Sequence, residues 1–428
     1  YNVLFMKNLR FSFVKFLGLL FVMLMMPIGY AQLTGIKNIP GDYPNVTSAV
    51  TDLNLQGVGA GGVTFNVAAG FTESTIAPII VTATGTAANP IVFQKSGAGA
   101  NPIISRTDAG SIATATLGGQ GDAIIQLDGT DYITFNAIDV TAPNSGIEYG
   151  YLTNKPSATD GCQNVSITNS NITMTKGISP YVIGIYISNG ASSPSIATGV
   201  VVTALSGENQ NISITGNTIT NVHAGIVFRG SSAAGFYDEN MTVGAAGAGN
   251  TITNFGGASA TTTYGVYFIY VNNASVAYNT INNIAGGGTA HGATLYGIFY
   301  SVVSGNINGS NNAFTISNSS ASASYAIYQG NLVTQETYNS NTFASGTISS
   351  TGIVYLLYAS NATTNKTVNG NSIAGTFTRS AAGTIYGYYN LGAPASGTET
   401  VTNNQFTNIT NTAAGAVYPV SYTHLRAH

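Results

Sequence analysis

Apolar and polar positions repeat in two short, interleaved patterns from about residue 146 onward. The first is a small residue, an apolar one and then usually an aromatic: Gly184-Ile185-Tyr186, Gly265-Val266-Tyr267, Gly297-Ile298-Phe299, Ala326-Ile327-Tyr328, Gly387-Tyr388-Tyr389 and Ala416-Val417-Tyr418. The second is Asn, any residue, then Ile or Phe, running from Asn217 with Ile219 through Asn250, Asn279, Asn312, Asn341 and Asn371 to Asn404 with Phe406. Successive apolar members of the second pattern lie 33, 29, 33, 29, 30 and 33 residues apart, and the first steps by 29, 30, 31 and 29 from Gly297 to Ala416. Two independent anchors on one period of about 30 residues identify a repeat protein.

Between anchors stand short β-prone runs such as Asn211-Ile212-Ser213-Ile214-Thr215, broken by Gly, Asn and Ser. No stretch of helical length carries a 3.6-residue period, which excludes the helical solenoids. A propeller blade needs roughly 40 residues and four strands. The pattern therefore predicts an all-β chain wound as a right-handed parallel β-helix, each coil bonding to its neighbours at about 4.8 Å. Asn at a fixed turn position would stack into an amide ladder. The aromatic column would hold Tyr186, Val227, Tyr267, Phe299, Tyr328, Tyr358, Tyr389 and Tyr418. Two positions earlier stand Gly184, Gly225, Gly265, Gly297, Ala326, Leu356, Gly387 and Ala416, which strand alternation assigns to the same face. Buried, that column is an aromatic ladder in or beside the core. Exposed, it is a strip for stacking sugar rings, with Tyr267, Phe299, Tyr328, Tyr358 and Tyr389 as the carbohydrate-binding residues. The ladder is the reading taken, and the strip stays open.

The N-terminal part carries a different signature. Gly41 to Leu53 resembles the short helix that opens many β-helices of the pectate-lyase-like superfamily, with Val46, Ala49, Val50 and Leu53 on one face. Such a helix caps the open end of the core. Val63-Thr64-Phe65-Asn66-Val67, followed by Gly70, Thr72 and Glu73, resembles that superfamily's first rung, and Ile91-Val92-Phe93, Ile124 to Leu127 and Tyr132 to Phe135 continue it. As a whole the chain resembles the secreted β-helix repeat proteins of flavobacteria and their relatives. This resemblance implies a surface or extracellular module, or a polysaccharide lyase or hydrolase. The expected organisation is residues 1–5 as upstream read-through, a signal peptide over 6–31, cap and first rungs over 32–145, repeats over 146–420, and a non-native tail over 421–428.

Composition narrows the function. Only 6% of residues are charged, and from Gly177 to Asn365 the single Lys or Arg is Arg229. Binding to nucleic acid or to an anionic membrane needs clustered cations, so both are set aside. Lys7, Arg10 and Lys15 before the apolar run Phe16 to Met26, with Gly29-Tyr30-Ala31 behind it, read as an export signal. That run is too short for a membrane span, so the mature chain is expected to have none and to be secreted or held on the outer cell surface. Cys162 is the lone cysteine and allows no internal disulfide.

Candidate chemistry is sparse. Asp122, Asp128, Asp131, Asp139 and Glu148 thicken beside the early rungs and suggest Ca²⁺ as the one cofactor to consider. The resemblance to lyases would pair such a site with a basic residue, for which Arg106, Lys155 and Arg229 are nearest. Asp128, Asp131 and Arg229 are thus the catalytic candidates. Read as one strand, Asp131 to Val140 places Asp131 and Asp139 on one face but too far apart to share an ion. The absence of Trp rules out the Arg-Pro-Trp segment of pectinesterases, and His223-Ala224-Gly225 and His291-Gly292-Ala293 are fragments of the polygalacturonase Gly-His-Gly. Paired glycosidase carboxylates are not legible. The expectation is a structural or adhesive module holding extracellular polysaccharide; the alternative is a polysaccharide-cleaving enzyme.

Overall fold

The computed structural model describes residues 31–110, 122–177, 182–191, 199–257, 261–392, 394 and 397–422. The export signal expected over 6–31 lies, apart from Ala31, outside them. Among the described residues no helix is long and apolar enough to cross a membrane.

The chain winds as an all-β parallel β-solenoid of about 11 turns. Each coil contributes up to three strands, and like strands of successive coils stack into three columns. The first column runs from Ile79–Val81 through Ala123–Asp128, Tyr149–Asn154 and Ile183–Ile187 to Val417–Tyr422. The second runs from Leu33–Ile39 and Val58–Ala68 to Glu399–Thr402. The third holds ten strands from Thr72–Thr75 to Ser372–Ile373. Two long strands, Thr263–Ala277 and Leu295–Ser310, turn the corner between the first and second columns with register shifts at the bend. The last strand carries the pairing two residues past 420, where Ser421 and Tyr422 face Tyr389 and Asn390.

The N-terminal end is closed by the helix Val46–Gln56, whose buried residues are Val46, Ala49, Val50 and Leu53. Asn45 caps it by accepting from Ser48 N at 2.8 Å. Glu73, from the first strand of the third column, accepts from Val46 N at 2.7 Å and Thr47 N at 3.0 Å. A carboxylate there satisfies two orphan donors and meets the positive end of the helix dipole.

Inside, identical side chains stack coil on coil. Phe65, Phe93 and Phe135 form one pile at 4.4 and 5.2 Å, and Phe228, Phe268 and Tyr300 another at 4.7 and 5.4 Å. The Asn pattern is the amide ladder that the spacing predicts. Asn217, Asn250, Asn279, Asn312, Asn341 and Asn371 each donate from Nδ2 to Oδ1 of the next, at 2.8–3.3 Å, ending on Asn404. Each backbone N–H of the series donates to the same Oδ1, and the second Nδ2 proton goes to a strand carbonyl, as in Asn312 to Val276 at 2.8 Å. Every polar atom of these buried amides is thereby satisfied.

Two expectations are corrected by the backbone. Asp131 and Asp139 do not share a strand: Ile133–Asn136 belongs to the second column and Asp139–Thr141 to the third, with the chain turning between them. Nor does simple alternation hold in the first column. A Cβ on Gly184 would meet Ile219 Cγ2 at 2.4 Å, and one on Gly297 would meet Phe314 at 2.8 Å, so the small position points into the core. Ala326 and Leu356 occupy it fully buried. Coil-to-coil pairing skips this residue, passing from Tyr325 to Ile327. The strand bends there, and two consecutive residues face inward.

Candidate functional site

The bend decides what the first column shows to the outside. Numbering every coil on the strand Ser324–Gln329, the third and fourth positions turn inward and the second and fifth point outward. The fifth position holds Tyr186, Val227, Tyr267, Phe299, Tyr328, Tyr358 and Tyr389, in register from coil to coil. The second holds Tyr264, Tyr296, Tyr325, Tyr355, Tyr386 and Tyr418. Tyr418 therefore stands in the second column of rings rather than the expected one, because its partner is Tyr386 and the partner of Tyr389 is Ser421. The second column of rings escaped the sequence reading. Its signal is Tyr recurring three residues before each expected aromatic, at Tyr264, Tyr296, Tyr325, Tyr355 and Tyr386.

From Tyr325 to Tyr389 the rings form a herringbone. Within a column they are nearly parallel, 4° apart at 5.0 Å for Tyr325 and Tyr355 and 7° apart at 4.6 Å for Tyr328 and Tyr358. Between columns they cross steeply, at 88° for Tyr325 with Tyr328, 85° for Tyr355 with Tyr358 and 62° for Tyr386 with Tyr389. In the two coils before, Tyr264 with Tyr267 and Tyr296 with Phe299 are instead stacked, 17° and 9° apart, and the change falls between Phe299 and Tyr328, which meet at 86°. Parallel rings about 5 Å apart that touch at about 3.5 Å must be tilted and offset. Each ring thus covers part of the next one's face. The expected choice between core ladder and exposed strip resolves into a semi-buried ladder outside the main core. Its burial falls along the axis: Tyr149 and Tyr186 are sealed, Tyr267 is 8% exposed, Tyr296 to Tyr389 are half-buried and Tyr418 is 46% exposed.

Burial and the neighbouring phenols hold Tyr296 and Tyr358 up at about 12, and push Tyr325 and Tyr355 up as well. These hydroxyls are protonated at any physiological pH and both donate and accept. No exposed charge lies nearby in the chain. From Asn240 to Thr398 the only charged side chains are Glu336, Lys366 and Arg379, and all three are buried.

The catalytic candidates do not converge. Phe228 pairs with Ile187, Ile187 with Thr153 and Thr153 with Leu127, which puts Arg229 three coils from Asp128, roughly 14 Å at about 4.8 Å per strand. Asp128 accepts from Gln126 Nε2 at 2.9 Å and Asn154 Nδ2 at 3.2 Å. Asp131 sits at a turn and accepts from Gln163 N at 2.7 Å, and burial raises its carboxyl. Arg229 lies against the sealed end of the tyrosine ladder, bonded to Tyr186. The other cations are committed to structure. Arg106 holds Asp108 at 2.7 Å and Asp122 at 2.9 Å, and Lys155 forms a fully buried pair with Asp238 at 2.5 Å. Asp139 accepts from Asn101 and Asn171 side chains, each at 2.8 Å. Among the described residues no three His, Cys, Asp or Glu side chains gather to hold a metal ion. Cys162 is buried, with its thiol pushed up to about 12 by burial.

One pair of acids is brought together that the sequence showed only as scattered. A cleft beside the corner of the first two columns is lined by Leu205, Glu208, Gly235, Tyr237, Glu239, Asn272 and Ser304. Glu208 is 2% exposed and accepts from Gln210 Nε2 at 2.8 Å. Burial raises its carboxyl, and Asp238 and Glu239 push the same way. Glu239 accepts from Asn272 Nδ2 at 3.1 Å. What joins them is the lateral bridge Gln210 to Glu239 between neighbouring coils.

The class that the fold defines is the parallel β-solenoid. No family model and no curated protein matches the chain in sequence. Among solved structures it is similar to PfbA, a surface adhesin of Streptococcus pneumoniae, at 14% identity and TM-score 0.47, over 89% of this chain and 90% of that one. It is similar to an alginate lyase from Paenibacillus sp. str. FPU-7 at 15% identity and TM-score 0.39, over 85% and 96%. It is also similar to the GH136 lacto-N-biosidase of Eubacterium ramulus at 12% identity and TM-score 0.43, covering 83% of this chain but 62% of that enzyme's length.

Proposed function

We propose that the chain is a secreted or surface-displayed module that holds polysaccharide along the tyrosine face of its first strand column without cleaving it. The observation that carries this reading is the double column of half-buried rings from Tyr296 to Tyr389, a continuous aromatic surface where an ordinary strand face is either polar or covered. Tyr267, Phe299, Tyr328, Tyr358 and Tyr389 supply one side of that face, and Tyr264, Tyr296, Tyr325, Tyr355 and Tyr386 the other. Ca²⁺ has no part in this reading.

The test is retention of the full chain on a panel of insoluble and soluble polysaccharides, with polymer length followed in the same samples. Retention with unchanged polymer length supports the reading, as does loss of retention in a folded Tyr328→Ala/Tyr358→Ala variant. Retention that survives that variant would place the contact elsewhere. The second reading, a polysaccharide-cleaving enzyme, is favoured by one observation: Glu208 and Glu239 line one cleft beside Tyr237, and burial raises the Glu208 carboxyl, the direction a general acid needs. Shortened polymers that Glu208→Gln abolishes would establish it.

A further inference from the structure

We infer that the tyrosine face takes an uncharged, extended glycan lying along the solenoid axis, bound by hydroxyl hydrogen bonds and edge contacts. This rests on the reading of that face as glycan-binding and adds the chemical class and direction of the ligand. Three observations carry it.

The first is charge. Over the coils that bear the double column, the chain from Asn240 to Thr398 exposes no charged side chain among the described residues. A polyuronate or sulfated glycan lying over these coils would lose hydration on docking and find no cation in return, since Arg229 stands only at the sealed end beside Tyr186. An uncharged glycan loses only hydroxyl hydration, which a row of phenol hydroxyls restores.

The second is shape. Across the strand the aromatic surface is two rings wide, with centroids 4.9 Å apart for Tyr325 and Tyr328. Along the axis its accessible part runs unbroken over five coils from Tyr296 to Tyr418, roughly 19 Å at about 4.8 Å per strand. A long ligand gains contact by following the axis and none by crossing it.

The third is ring orientation. From Tyr325 on, rings of one column turn their edges toward those of the other, and each face is partly shared with its neighbour along the axis. Such a surface reads a repeating row of hydroxyls better than it stacks one isolated sugar ring. Periodic contacts then add coil by coil, as in any repeat protein that binds along its length.

The experiment is calorimetry on the full chain with cellobiose, cellotetraose and cellohexaose, with the matching xylan and laminarin oligomers, and with oligogalacturonate as the acidic probe. The expected result is that affinity rises with length in at least one neutral series. It is also unchanged in about 1 M NaCl, where the screening length falls to about 3 Å. Tyr355→Phe, which deletes one hydroxyl and keeps the ring, weakens the longest neutral oligomer about tenfold or less, the scale of one hydrogen bond. Preference for oligogalacturonate, or salt-sensitive binding, overturns the neutral class. Affinity that saturates at the disaccharide overturns the axial direction. Binding of no glycan by the folded chain overturns the reading beneath it. Concentration-dependent self-association blocked by Tyr355→Ala would assign the face to a second copy of the chain and overturn the inference as well.

Discussion

The coils before Asn240 and those after it share one backbone plan and differ in what they expose. Before it, partly exposed charges are spread over the surface, among them Lys37, Asp108, Asp122, Asp131, Asp160, Lys176, Arg229 and Glu239. There the outward ring positions are sealed, as at Tyr149 and Tyr186. After it, surface charge vanishes up to Glu399, and from Tyr296 on the same positions carry half-buried aromatic rings coil after coil. The interior changes less: stacked rings occur on both sides and each half has a fully buried lysine paired with a carboxylate, while the amide ladder starts at Asn217 and lies mostly after Asn240. Stability and surface chemistry are therefore separable in this solenoid. The inner face fixes the winding, and the outer face is free to specialise.

That comparison breaks first at the buried ion pairs, one in each half. Lys155 meets Asp238 at 2.5 Å and Lys366 meets Glu336 at 3.4 Å, all four side chains fully buried. Lys366 also donates to Asn390 Oδ1 at 2.8 Å. Lys155→Met and Lys366→Met each strand a carboxylate, and each should cost about 3–5 kcal/mol in urea unfolding. A large loss in one half alone would show that the interiors are not equivalent.

The amide ladder comes next. Asn312→Ala removes the acceptor of Asn279 N and Nδ2 and the donor to Val276 O. With about 1–3 kcal/mol for each stranded group and some recovered by water, the expected loss is about 3 kcal/mol. The ring positions then sharpen the contrast directly. Tyr186→Ala, in the sealed end, should cost about 3 kcal/mol as a core cavity does, and Tyr328→Ala, half-buried, about 1 kcal/mol. Equal losses would mean that the two ends of the ladder are equally covered.

The smallest effects are in pH. A phenol whose folded value is raised contributes stability that is complete below its unfolded value near 10 and is lost as pH climbs through the folded value. Tyr296 and Tyr358 therefore set an alkaline limb between about pH 10 and 12, visible as phenolate absorbance appearing together with loss of near-ultraviolet dichroism. The acid limb belongs to the middle coils. Burial lowers His223 and His291 to about 4, with Lys176 adding to it, so their contribution is complete above about 6.5 and lost as pH falls toward 4. Replacing both by Gln should flatten that limb and leave the alkaline one in place.

Much of this was legible in the chain. Spacing alone located the ladder from Asn217 to Asn404, because one turn position that must satisfy its own amide coil after coil tolerates little else. The four core-facing residues of the capping helix followed from their 3.6-residue period. The second column of tyrosines did not follow, since a period-two rule fails wherever a strand bends and places two neighbours inward, as at Ala326 and Ile327. Long-range polar pairs were illegible for a different reason. Lys155 and Asp238 are 83 residues apart, and nothing local in either segment announces the other. The cleft acids Glu208 and Glu239 were likewise visible as residues and invisible as a pair.

The most direct test of the central claim is hydroxyl-radical footprinting of the full chain with and without saturating cellohexaose or whichever neutral oligomer binds most tightly. The account predicts protection of Tyr296, Tyr325, Tyr355 and Tyr386 together, on consecutive coils, with Tyr237 and Tyr270 beside the acidic cleft unchanged. Protection confined to Tyr237 and its surroundings, with the ladder tyrosines reacting as before, would contradict it.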